Sequence, residues 1–427
     1  MKSAISRTIV ALAVLALALG LAACGGGSDT TAGTEAATEE ATSAEGGGGG
    51  GEGGEGGEGG SGPIKIGAAV DETNLMKFFD GPALAAAKIE AEKINKEGGV
   101  DGREIEFTVQ NTQLEPAKTK SVAENEVDGG AEIMWVTCDV DWATPSIQVG
   151  LKAGLLTVAP CIGTDQMGPK RFGSEGELAF SYGNVAQDEG AALAAMFAKR
   201  GWKSVDVVTD QSIAFTQNVC EAFKSRFEEE GGKVVSDETF TEGDNTIGSV
   251  ANHVNGSKAD ANLICATTQN DLPTFVSGVR SAGNQTPIAG PWSIDGAFWL
   301  PKDPKISNNI WVTTYASIYG DDPDPEIQEM IDQLTREGAE PATGGFVTGA
   351  AAIDGIKAAV EENDGSTEGK ALAESMVNFE NLKTISGEIS FSPELHTVFG
   401  RAYRVIQIKD GKPHFVELIK AGTPAEL

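Results

Sequence analysis

The chain is predicted to fold as α/β, in two similar halves each built on a parallel sheet. Two observations carry this expectation. Short apolar runs of strand length alternate with helical segments of about ten to fifteen residues, the pattern of βαβ units. That alternation begins at Pro63 and restarts near Gln187. No repeat of about 20–50 residues runs through it, so the halves are not turns of a solenoid.

The elements follow in order. Ile64 to Val70 (IKIGAAV) reads as a short apolar strand. Gly81-Pro82 opens a helix through Ala85 to Lys96, because proline's fixed φ suits a first helical turn, and Gly98-Gly99 stops it. Glu104 to Gln110 is a strand, a helix follows Pro116, and Glu132 to Thr137 is the next strand. Another helix follows Pro145, then the strand Leu155 to Val158. In the second half a helix runs from Gln187 to Lys199, the strand Ser204 to Thr209 follows, and a helix spans Phe215 to Glu229. Strands at Lys233 to Phe240, Asn262 to Ala266, Pro287 to Gly290 and Ile310 to Tyr315 come next, with helices between the earlier ones. Helices after Pro325, through Gly345 to Val360 and near Lys370 to Phe379 lead into a β-rich tail at Gly387 to Phe391, Tyr403 to Lys409 and His414 to Leu418.

The N-terminus reads as a targeting segment rather than as part of the fold. Lys2 and Arg7 precede an apolar stretch, Ile9 to Gly20, that is too short to span a bilayer comfortably. Leu21-Ala22-Ala23-Cys24 resembles the lipobox of bacterial lipoproteins, which implies cleavage before Cys24 and a lipid anchor on its thiol. Residues 1–23 are therefore expected to be a signal peptide. Residues 24–62 are low in complexity and rich in Gly and Glu, so they cannot bury a core and are expected to act as a disordered tether. Such a coil reaches about 35 Å.

Composition excludes several functions. The formal net charge is −31, a surface that repels phosphate backbones, so nucleic acid is set aside as a partner. Four cysteines remain beyond Cys24 (Cys138, Cys161, Cys220 and Cys265), without a CxxC pair, and the three histidines stand far apart. No metal site and no cofactor are expected. In an exported chain those thiols either pair or stay buried and free. The expected pairs are Cys138 with Cys161, at the ends of adjacent strands, and Cys220 on a helix with Cys265 on the strand beneath it. No P-loop, GxSxG, HExxH or strand-linked GxGxxG is present. Asp139 and Asp141 are the nearest approach to paired carboxylates and are more simply read as solvated, so no enzymatic activity is expected.

The segment INKEGGVDGREIEF (Ile94 to Phe107) resembles the branched-chain amino-acid-binding type of periplasmic binding protein, the type I solute-binding family of ABC importers. GLLTVAPCIGT (Gly154 to Thr164), FVSGVRSAG (Phe275 to Gly283), IAGPWS (Ile288 to Ser293) and GGFVTGAAAIDGIKAAV (Gly344 to Val360) are similar to later blocks of that family, in the same order. The resemblance implies two Rossmann-like or flavodoxin-like lobes joined by three hinge crossovers. Lobe one is placed at 63–183 plus 316–387 and lobe two at 184–315 plus 388–427. It also implies an extracytoplasmic, monomeric solute-binding subunit, lipid-anchored on the outer face of the bacterial cytoplasmic membrane and delivering to permease subunits. The alternative is a ligand-sensing component of the same fold.

The resemblance further places the ligand between the lobes, on loops after strands. Phe78 and Phe79 stand where an aromatic covers the ligand. The family's next loop offers a hydroxyl or backbone N–H to a ligand carboxylate; here it carries Asp139, Asp141 and Trp142 instead. Cys161, Gly163 and Thr164 keep a threonine and backbone donors. In lobe two, Phe215 replaces a stacking tyrosine. Thr268, Gln269 and Asn270 follow a strand, and Trp292 stands where amino-acid binders carry a glutamate, leaving Asp295 as the nearest carboxylate. Tyr315 and Tyr319 sit near a crossover and read as packing. No Lys or Arg occurs in the Asp139 to Trp142 or Cys161 to Gln166 loops, so the solute itself is expected to partner a cleft carboxylate. That favours a polar solute with donor groups, such as an amino acid, amide, amine or polyol, and a flat or apolar part against Trp142, Phe215 or Trp292.

Overall fold

A computed structural model describes residues 62–267 and 271–427. The expected signal segment, Cys24 and most of the tether lie outside the described residues, as do Thr268, Gln269 and Asn270. The strands are β1 (Ile64–Val70), β2 (Ile105–Asn111), β3 (Ile133–Val136), β4 (Leu156–Ala159), β5 (Ala179–Asn184), β6 (Ser204–Asp210), β7 (Lys233–Phe240), β8 (Ala261–Cys265), β9 (Ile288–Gly290), β10 (Ile310–Thr314), β11 (Leu382–Thr384), β12 (Gly387–Ile389), β13 (Thr397–Val398), β14 (Tyr403–Lys409) and β15 (Lys412–Ile419). The helices are α1 (Lys77–Lys96), α2 (Pro116–Asp128), α3 (Val140–Lys152), α4 (Pro169–Phe172), α5 (Ala186–Arg200), α6 (Ala214–Glu229), α7 (Ile247–Gly256), α8 (Asp271–Ser281), α9 (Pro325–Arg336), α10 (Val347–Glu362) and α11 (Gly369–Val377).

Two sheets carry the two lobes. The first has the order β13-β5-β4-β3-β1-β2, and every pairing in it is parallel. The second has the order β15-β14-β10-β9-β8-β6-β7, parallel from β7 through β10 and antiparallel at β14 and β15. Central strands such as β3 (IMWV) and β4 (LTVA) are buried at every residue, because helices cover both faces of a parallel sheet. The edge strand β7 instead alternates exposed and half-buried residues along most of its length. In both sheets the first strand sits between the second and third, so the order reverses between β1 and β3 and again between β6 and β8. Loops at the carboxyl ends of strands flanking such a reversal diverge and leave a crevice.

The chain crosses between the sheets after β5, after β10 and between β13 and β14. Asn184, Tyr315 and Arg401 knit these crossovers together. Asn184 N–H donates to the Tyr315 hydroxyl at 3.2 Å, Arg401 donates to Asn184 Oδ1 and to the Tyr182 carbonyl, each at 2.9 Å, and its guanidinium lies over the Tyr315 ring. Burying the Arg401 charge is tolerable only because these acceptors and the ring surround it.

Three expectations about elements are corrected. β5 was not anticipated as a strand. α1 and α3 begin at Lys77 and Val140, so Pro82 and Pro145 lie inside helices rather than opening them. The third crossover does not fall at 387. β13 adds to the first sheet through parallel pairing with β5, and the chain returns to the second sheet only at Tyr403. Among the described residues no helix is long and apolar enough to cross a membrane.

Candidate functional site

Six loops at the carboxyl ends of parallel strands converge on one cavity between the sheets. The first sheet supplies Leu75, Met76 and Phe79 after β1, Cys138 to Val140 and Trp142 after β3, and Cys161 to Thr164 after β4. The second supplies Ile213 and Phe215 after β6, Thr267 after β8, and Trp292 and Ser293 after β9. The free space these loops enclose is about 30 Å³, because the walls have closed on one another. The walls are mostly aliphatic and aromatic.

Buried carboxylates hold these loops in place. Asp71 accepts the backbone N–H groups of Thr73, Asn74 and Met76, curling the loop that carries Leu75 and Met76. Asp80 accepts from Asp71 N–H and Cys138 N–H, each at 2.8 Å, and from the Thr137 hydroxyl, which ties the β1 loop to the β3 loop. Burial pushes the Asp80 carboxyl up to about 7. Glu189 accepts the Trp292 N–H at 2.7 Å and the Thr313 hydroxyl at 3.0 Å, fixing the indole backbone, and burial lifts it to about 8. Trp292 then packs edge-on against Phe79, with ring centroids 5.3 Å apart, and against Phe215 and Tyr315.

A disulfide stands behind each half of the wall. Cys138 and Cys161 are joined across the β3 and β4 loops, with Cα atoms 4.8 Å apart, and both line the cavity. Cys220 on α6 is joined to Cys265 at the end of β8, with Cα atoms 5.9 Å apart.

The two lobes touch directly around the cavity. Thr164 Oγ1 donates to Asn218 Oδ1 on α6 at 2.7 Å, and Asp141 Oδ2 accepts Ala214 N–H at 3.0 Å. Phe215 lies against Gly163, where a Cβ atom would come within 2.5 Å of its ring. At the rim, Phe78 stacks on Phe298 at 5.1 Å. The arrangement is a closed one.

Of the sequence-predicted site residues, Phe79, Asp139, Trp142, Cys161, Gly163, Thr164, Phe215 and Trp292 line the cavity. Phe78, Asp141 and Asp295 do not. Phe78 is drawn out by its stacking partner. Asp141 pairs at 2.8 Å with Arg171, a cation that lies outside the Asp139 to Trp142 and Cys161 to Gln166 loops. Asp295 is fully buried and accepts from Gly296 N–H, Gly344 N–H, the Thr314 hydroxyl and Tyr319, so it serves the structure around the second crossover. Tyr315 and Tyr319 pack, as their positions suggested. Gln269 and Asn270 lie outside the described residues. Asp139 is also the N-cap of α3, its Oδ1 accepting Asp141 N–H at 2.9 Å and Trp142 N–H at 3.3 Å. Sequence reasoning missed Leu75, Met76, Val140, Ile162, Ile213, Thr267 and Ser293. Their signal was position alone: each sits within a few residues of a strand end.

Among the described residues no group of three or more His, Cys, Asp or Glu side chains is placed to hold a metal ion.

Comparison with known proteins agrees with this fold. A family model described as "Periplasmic binding protein" matches residues 63–413. A Leu/Ile/Val-binding protein of Rhizobium johnstonii is 22% identical over 339 residues, covering 77% of this chain and 87% of its own. The branched-chain amino acid transporter substrate-binding protein LivJ of Streptococcus pneumoniae, solved in complex with isoleucine, superposes with a TM-score of 0.71 at 19% identity, covering 84% of this chain and 99% of its own. A solute-binding protein of an ABC transporter from R. palustris, solved in complex with benzoate, gives a TM-score of 0.69 at 19% identity over 85% of this chain and 97% of its own.

Proposed function

The chain belongs to the periplasmic binding protein family, and from that membership we propose that it is the extracytoplasmic solute-binding subunit of an ABC importer. The observation that carries this reading is the cavity itself: loops from both sheets close on it, so a bound solute touches both lobes and favours the closed arrangement. The solute is a small molecule with an apolar body and a polar head, in the class of amino acids, amides, amines and related compounds. Relatives solved with isoleucine and with benzoate support a ligand of that size. The chain catalyses no reaction. It acts as a monomer, carries lipid on Cys24 after removal of residues 1–23, and is held at the outer face of the cytoplasmic membrane by the tether that ends at Gly62. From there it delivers its solute to permease subunits. The loops lining the cavity are the ligand-binding residues.

A thermal-shift screen of the folded chain against amino acids, amines, amides, polyols and aromatic acids tests the reading. A ligand at one hundred times its dissociation constant adds about 2.7 kcal/mol to stability, a rise easily measured. A panel in which no member raises the unfolding midpoint counts against it.

A further inference from the structure

Three of the polar side chains that line the cavity are already engaged by the protein. Thr164 donates to Asn218, Ser293 Oγ donates to the Ala266 carbonyl at 2.8 Å, and Thr267 donates to Glu242. Asp139 differs. One oxygen caps α3, while no protein donor among the described residues reaches the other. The residue is 4% exposed and lines the cavity, and its second oxygen is not among the fully enclosed polar atoms. That oxygen is therefore partly accessible, on a residue that borders the cavity. Among the described residues no Lys or Arg lines the same space, and Arg171 is engaged by Asp141 and Gln166. The second lobe lines the same cavity with Ile213, Phe215 and Trp292 beside the engaged Thr267 and Ser293, and the Trp292 indole N–H has no partner among the described residues.

Building on the solute-binding reading above, we propose that Asp139 is the specificity-determining residue of the site: its second oxygen accepts from a donor head group, an ammonium or amide N–H, on a small solute whose remainder is apolar. A buried carboxylate oxygen without a donor is costly, and burial with the neighbouring Asp141 charge already lifts this group to about 7. An ammonium or amide head removes that cost, while the aromatic walls take the apolar body. Above that pH, at pH 8 for instance, a solute with only a carboxylate head sets like charge against Asp139.

Calorimetry with three probes of similar carbon skeleton tests this: leucine, 3-methylbutylamine and 4-methylpentanoate. The wild type binds at least one of the two amine-bearing probes about tenfold or more tighter than 4-methylpentanoate, the scale of one charge-assisted hydrogen bond. Asp139→Asn keeps the helix cap, because asparagine caps as well as aspartate, but replaces the second acceptor with a donor. It weakens the amine-bearing probe about tenfold or more and narrows or reverses the preference. Asp139→Ser, which keeps a capping oxygen and withdraws the second one, weakens the same probe without gaining the carboxylate. Equal or tighter binding of 4-methylpentanoate by the wild type, an unchanged affinity in Asp139→Asn, or no binding of either amine-bearing probe overturns the proposal. A wild type that binds an aromatic acid from the wider panel and neither amine-bearing probe keeps the solute-binding reading and overturns this one.

Discussion

The Asp141 carboxylate of the first lobe accepts the backbone N–H of Ala214, the first residue of α6 in the second lobe, at 3.0 Å. α6 has no side-chain cap of its own, since Ile213 stands at its N-cap. Asp141 thus caps a helix across the cleft, and Arg171 holds its other oxygen in place at 2.8 Å. The bond spans the two lobes, so separating them breaks it. Replacing Asp141 with Ala removes a helix cap from the closed state alone, a loss of about 1 kcal/mol. Affinity for the solute should fall about fivefold, and small-angle scattering of the variant should show a larger mean radius of gyration than the wild type. Equal affinity and equal size would show that the contact is incidental.

Gly163 is the second closure contact. An added Cβ would lie 2.5 Å from the Phe215 ring and 3.1 Å from the Asn184 carbonyl, so neither lobe can accept it without moving. Gly163→Ala should hold the lobes apart and weaken solute binding by about tenfold or more, the scale of overpacking a buried contact. The unfolding midpoint in the absence of solute should change far less. A variant that binds as tightly as the wild type would mean that the ring moves aside freely.

Both contacts illustrate what the sequence made legible and what it did not. The cavity-lining loops were readable because each follows an apolar run of strand length and the halves repeat one βαβ order. β5 (AFSYGN) was not, because Ser181, Gly183 and Asn184 interrupt its apolar run; it is a strand through its pairing between β4 and β13. Pro82 and Pro145 misled by their usual place in the first turn, whereas each is the sixth residue of its helix. With α3 starting at Val140, Asp139 becomes a cap as well as a cavity residue. Arg171, thirty residues beyond Asp141, was invisible to any local reading of charge.

The two disulfides should be detectable chemically. Titration of the unfolded, unreduced chain without its Cys24 thiol should find no free thiol, and reduction should release four. Closing loops of 23 and 45 residues stabilises a fold by about 3–4 kcal/mol each on chain-entropy grounds. Reduction should therefore lower the unfolding midpoint substantially. Four thiols reacting without reductant would remove the bridges from the account.

Stability should depend on pH in an unusual direction. Burial lifts the carboxyls of Asp80, Asp139 and Asp354 to about 7, of Glu189 to about 8 and of Asp188 to about 6. Asp141 and Arg171 are the charged groups that act on Asp139, and Glu90, Lys93 and Lys357 those on Asp354. Each raised group binds its proton more tightly folded than unfolded. Its contribution is full below the ordinary carboxyl range and is lost as pH rises through the folded value. The solute-free chain should thus melt at a higher temperature near pH 5 than near pH 8. A lower midpoint at pH 5 would show that other groups dominate.

The proposed lipid anchor rests on the Cys24 thiol. Cys24→Ala should leave no acylation site and shift the chain from the membrane fraction to a soluble or unprocessed form. A cleaved variant that still partitions into detergent would exclude the lipid anchor.

The proposed function requires one small solute to be held between the two lobes, in the cavity walled by Phe79, Trp142, Phe215 and Trp292. Calorimetric titration of the best solute from the screen into the wild type and into Phe215→Ala tests it most directly, with circular dichroism to confirm that the variant is folded. The wild type should show one site per chain, and removing the ring should cost about thirtyfold or more in affinity, the scale of a buried aromatic contact. Wild-type affinity retained by a folded Phe215→Ala would contradict it.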